Sequence, residues 1–266
     1  MAEIPLRSVD PLIQKWKWAL WGIGGIIAVG LLLGPRIAQP LSYHQFADQR
    51  TFLGIPHFFD VVSNLGFLLV GVWGAVFVMK ASAGANVLNR EERWPYFFFF
   101  LGVLLTAFGS AYYHWAPDNP RLLWDRLPMA MGFMGLLAAV LGERVAPTLA
   151  SKVLAPLLAA GVGSVVYWRW TDLAGRDDLR LYGIVQFGSL ALVLALCLLL
   201  PSRYTRGGDM FAVIAFYVVA KLFEGLDRQI FRVGGFISGH TLKHLAAAIA
   251  CYLVLRMLML RRPSTA

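Results

Sequence analysis

The chain has 266 residues, 58% of them hydrophobic and only 15% charged, with a mean hydropathy of +0.63. Soluble domains carry more charge and shorter apolar runs, so that class is excluded. The formal net charge of +9 does not point to nucleic acid. Lys and Arg gather at the ends of apolar runs, as membrane topology requires, and form no interleaved basic face.

Eight apolar runs follow in chain order, each close to the roughly 20 residues that cross a bilayer. Lys15 and Lys17 precede the first, 18–38, and no small-x-small cleavage pattern follows it. An uncleaved signal-anchor helix is therefore expected. The second run, 57–79, opens after Pro56, and the third, 94–114, contains Phe97 to Phe100. The fourth, 120–141, has Asn119 as its expected N-cap and Pro120 at the first helical position. The fifth is 147–168, and Pro201 stops the sixth, 181–200. The seventh, 209–231, follows Gly207-Gly208, and the eighth, 236–260, follows Gly234-Gly235.

Only helices or closed barrels satisfy the backbone in lipid, and these runs are too long for barrel strands. The expected fold is an all-α integral membrane bundle of eight spans, with sequential neighbours antiparallel across short loops. No internal repeat is present, which disfavours a transporter made of duplicated halves. With eight crossings the termini share a side that carries twelve basic residues, among them Lys15, Arg144 and Arg261, against eight opposite. That balance favours cytoplasmic termini. Cys197 and Cys251 fall inside apolar runs, so neither a disulfide framework nor a thiolate metal site is expected.

Ionisable groups inside hydrocarbon cost about 2.5–3.5 kcal/mol on insertion scales and mark functional sites. His240 and His244 lie one turn apart, on one helix face. Ser110 and His114 repeat that spacing at the end of the third run. Asp125 begins the fourth, and Asp227 lies near the end of the seventh. The topology brings all of them to the membrane side opposite the termini. Three neutral imidazoles and a water make a four-coordinate catalytic zinc site. Zinc would lower the water's pKa toward about 7 and polarise a carbonyl. Asp125 would move the proton, and Ser110 would donate to the developing oxyanion. Blander roles stay open: Asp125 paired with Arg121 or Arg126, and Ser110 as a small interhelical contact. Asp60, Ser63, Asn64, Glu224 and Asp227 could orient the histidines, or simply hold helices together. Lys221 and Lys243 read as snorkelling side chains, and His44 and His57 as wet interfacial residues.

Ser110-x-x-x-His114, Asp125 and His240-x-x-x-His244 together resemble the signature of the alkaline ceramidases, within the CREST superfamily of membrane hydrolases. Val61-Val62-Ser63-Asn64-Leu65 and Leu226-Asp227-Arg228 also look similar to family segments. The resemblance spans roughly residues 43–258. It implies that His114, His240 and His244 bind zinc, and that Ser110 and Asp125 act in hydrolysis of a ceramide amide to a sphingoid base and a fatty acid. It also implies a seven-helix transmembrane core over 41–262, so that 1–40 adds one N-terminal transmembrane helix. The animal relatives' acidic calcium-binding run is replaced here by Tyr43-His44-Gln45-Phe46-Ala47-Asp48, with His57 at the later acidic position. Calcium prefers several oxygens and is not expected.

The expected function is a zinc-dependent intramembrane lipid amide hydrolase whose partner is its lipid substrate, ceramide or a related N-acyl lipid. No obligate protein partner is expected. The alternatives are a zinc-containing seven-helix receptor or sensor, and a hydrolase of a different acyl lipid. The expected location is a bacterial inner membrane, with an endomembrane as the alternative.

Overall fold

The computed structural model describes residues 22, 25, 29, 33–80, 88 and 90–264. These form α1 (Phe58–Lys80), α2 (Arg90–Trp115), α3 (Asn119–Arg144) and α4 (Pro147–Leu173). There follow α5 (Arg180–Leu199), α6 (Asp209–Gly225), α7 (Asp227–Gly234) and α8 (Gly239–Leu260). Among the described residues there is no strand, only isolated bridges. Six of the helices are long and apolar enough to cross a membrane: α1 to α5 and α8. Their outward faces are apolar too, with Leu69, Phe108, Phe187 and Leu198 exposed. An apolar exterior around an apolar interior is that of a multi-pass membrane protein.

Local chemistry sets the helix ends. Asp118, not the expected Asn119, caps α3: its carboxylate accepts from the Arg121 N–H at 2.8 Å, and Pro120 occupies the first turn. The connection from α2 to α3 is so short that the two helices pack antiparallel, and both pack closely on further neighbours. α3 is the central helix, with 78% of its apolar window buried against 28% for α4. α8 returns across the bundle to pack on α6 and α1.

One expected span is redrawn, and one lies mostly outside the described residues. The first, 18–38, falls largely outside the described residues. At its end the chain has no regular structure from Pro35, and Ile37 and Gln39 are tied to the loop before α5 through Leu179 and Asp177. The seventh, 209–231, is not one helix but α6 followed by the short α7. The reason lies at Leu226 and Asp227. The Asp227 carboxylate accepts the backbone N–H groups of Ala47 and His240, at 2.9 and 2.8 Å, and so docks a loop and the start of α8 at this junction.

Candidate metal centre

The end of α2 and the start of α8 meet because two glycines permit it. A Cβ on Gly109 would lie 2.1 Å from the Trp124 carbonyl oxygen, so α2 and α3 touch backbone to backbone there. That contact places the side chain of Asp125 beside Ser110. A Cβ on Gly239 would lie 2.3 Å from the Phe223 carbonyl oxygen, so α8 starts directly against the end of α6. Ser238 caps α8 by accepting from the Thr241 N–H at 2.9 Å, and Asp227 holds the His240 N–H.

Three imidazoles converge where these ends meet. His114, His240 and His244 are buried, and one nitrogen from each lies within 4.8 Å of the others. The Nε2 atoms of His114 and His240 are 3.2 Å apart. Two nitrogens on one tetrahedral zinc, at its usual bond length, would be separated by about 3.3 Å. The three ring centroids are 4.7 to 4.9 Å from one another. Ser63 fixes the orientation of His244. Its hydroxyl donates to the Asp60 carbonyl at 3.1 Å, so its oxygen is free to accept from His244 Nδ1 at 2.8 Å. That bond puts the proton on Nδ1 and turns the Nε2 lone pair toward the other rings. His114 Nδ1 is buried with no partner among the described residues. Nitrogen donors in this number, buried and facing inward, suit zinc and leave a position for a further ligand.

The remaining expected residues take different places. Ser63 and Asp227 touch the histidines directly. Asp60 accepts from Ser238 and Thr241 at 3.0 and 2.7 Å, and so acts on the α8 cap rather than on a ring. Asn64 donates to the backbone carbonyls of Asp60 and Val61. Glu224 pairs with Lys221 and Lys243 and accepts from the Tyr43 hydroxyl. Arg121 pairs with Asp118, which leaves it out of the Asp125 neighbourhood.

Several residues at the centre escaped the sequence reading. Phe46 packs its ring 4.5 Å from both His114 and His240 and is itself buried. Its only sequence signal is one aromatic residue in a polar loop. His44 is not a free interfacial residue, since Tyr113 and Asn119 bond its two ring nitrogens at 2.9 Å each. Lys243 does more than snorkel: its Nζ lies 3.4 Å from His240 Nε2 and 2.8 Å from Glu224. The position one residue before His244 was the available clue.

The stretch compared above with a calcium-binding run is closed by a protein cation. Burial alone would raise the Asp48 pKa, but Arg50 bonds both carboxylate oxygens, at 2.7 and 2.8 Å, and holds it below the ordinary value. The same guanidinium donates to the carbonyls of Gly235 and Phe236. No family model matches this chain, and no curated protein matches its sequence.

Proposed function

We propose that the protein is an intramembrane zinc-dependent hydrolase of N-acyl lipids, with the amide of a ceramide-type lipid as the expected substrate. One observation carries this reading: three buried imidazoles face one another beside a Ser110–Asp125 pair. His114, His240 and His244 would hold the metal. Zinc bound there supplies Lewis acidity and lowers the pKa of water. Asp125 accepts a proton at its carboxylate and returns it to the amine nitrogen that leaves. The Ser110 hydroxyl donates toward the carbonyl oxygen as negative charge grows on it. Phe46 packs against two of the rings.

In this reading α6 is also a span. Its 17 residues make about 25 Å, short but within the range for a bilayer. With α1 to α5 and α8 it completes a seven-helix core, and residues 18–38 add an eighth crossing. The candidate centre and the C-terminus lie at opposite ends of α8, so cytoplasmic termini put the chemistry at the other face. A bacterial inner membrane fits that arrangement. Calcium has no part in it, because Arg50 occupies the Asp48 carboxylate.

Mass spectrometry of products from ceramide in detergent micelles tests the reading. Free fatty acid and sphingoid base should accumulate in equal amounts, stop on treatment with a strong zinc chelator, and resume when zinc is restored. Undiminished cleavage by chelated, zinc-free protein would reject it.

A further inference from the structure

The cations next to the candidate centre outnumber the carboxylates that pair with them. Lys221 and Lys243 share one acid, Glu224. Arg126, buried on α3 beside Asp125, has no ion pair among the described residues. Its Nη2 bonds the neutral amide of Gln39, its face stacks on Trp168 and Tyr182 at 4.3 and 4.9 Å, and its Nη1 has no partner. Burying such charges is costly unless something opposes them.

A cavity of about 410 Å³ opens at this place, within the size range of small-ligand sites. His240 lies in its wall with Tyr43, Glu224, Asp227, Arg228 and Arg232. Among the described residues Arg228 hydrogen-bonds only Gln45, at 3.3 and 3.4 Å. Both arginines are exposed on α7. Arg228 and Arg232 thus share the cavity wall with His240, and Lys243 stands 3.4 Å from that ring's Nε2. A neutral headgroup would add no negative charge to this group of cations, whose two lysines share Glu224.

Building on the amide-hydrolase reading above, we propose that the lipid taken here carries an anionic oxyacid group, a carboxylate or a phosphate, a few bonds from its amide. Arg228 and Arg232 meet that group in the cavity wall, and Lys243, beside His240 and Glu224, adds its charge from behind that wall. Arginine and lysine bind such groups through charge-assisted hydrogen bonds. Glu224 shares its lysines with the incoming anion and keeps them positioned when the cavity is empty.

The test uses three amides with the same palmitoyl chain: N-palmitoyl ethanolamine (neutral), N-palmitoyl glycine (carboxylate) and N-palmitoyl phosphoethanolamine (phosphate). Palmitate release is measured with the purified protein, and the thermal shift each lipid gives is measured with metal-stripped protein. At least one anionic lipid should exceed the neutral one by about tenfold or more in kcat/KM, the worth of one charge-assisted hydrogen bond. Whichever anion leads identifies the group. Lys243→Met should erase most of that preference. Arg232→Gln, at an exposed position that folding does not depend on, should reduce it severalfold. A neutral lipid cleaved as fast as the anionic ones overturns the inference while leaving the hydrolase reading intact. Should none of the three be cleaved, the thermal shift decides: stabilisation by anionic lipids alone upholds anion recognition without hydrolysis, and equal shifts overturn it.

Discussion

Both ends of α8 bury ionisable side chains, and they handle them in opposite ways. Past its last turn, Arg261 is enclosed and forms ion pairs with Glu92 and Glu143 at 3.0 Å each. The Tyr204 hydroxyl donates to Glu92 at 2.9 Å and the Ser202 hydroxyl to Glu143 at 2.6 Å. Cation meets anion there, and the network ties α2, α3 and α8 to the loop before α6. Around the start of α8, the imidazoles of His114, His240 and His244 turn toward one another, with no carboxylate among them in the described residues. The first arrangement is a lock in which cation and anions pair within the protein. The second makes chemical sense when its lone pairs have a common ligand.

Substitutions at the two ends should separate these roles. The largest effect is expected from Asp125→Asn, which keeps the shape and removes the base. Amide hydrolysis should fall by about two to four orders of magnitude while zinc content stays at the wild-type level. A variant that retains near-normal turnover would remove Asp125 from the chemistry.

Arg261→Ala should act on the other end alone. Removing one partner of a buried ion pair costs about 3–5 kcal/mol, to be read as a lower unfolding midpoint in detergent. The folded fraction should still hold its zinc. If stability were unchanged, the Arg261 network would not be the lock described.

A smaller effect is expected from Ser63→Ala, which removes the partner of His244 Nδ1. Zinc affinity, measured by competition with a chelator, should weaken about 10- to 100-fold, with little change in unfolding. An unchanged affinity would mean that packing alone orients His244.

The smallest effect lies outside the helices that span the membrane. Arg180 hydrogen-bonds Asp178 and depresses its pKa to about 2, below the ordinary 3.8. A carboxyl whose folded pKa is lowered adds stability above its unfolded value and loses it as pH falls through the folded one. The stability gap between wild type and Asp178→Asn should be constant above about pH 5 and shrink as pH falls from about 4 toward 2. A gap that does not change with pH over that interval would contradict the assignment.

Much of this architecture was legible because membrane helices announce themselves through long apolar runs, and because buried histidines stand out among them. The run from Pro147 and the stop at Pro201 mark real helix ends, and His114, His240 and His244 do meet at one place. What the residues did not disclose are interactions distant in sequence. Residues 209–231 read as one span only if the polar stretch Asp227-Arg228-Gln229 after Leu226 is passed over as the end of a membrane helix. The break there depends on Asp227 bonding Ala47, 180 positions away. Phe46 resembles any loop aromatic until the fold lays it over two histidines. Lys243 looked like a snorkelling side chain, since nothing local reveals that Glu224 would draw it inward.

Elemental analysis of protein purified without added metal bears on the central claim more directly than any kinetic experiment. The account predicts about one zinc per wild-type chain, and none above background in His240→Ala folded to the same extent. Wild-type protein that carries no more metal than His240→Ala, yet cleaves lipid amides at full rate, would contradict it.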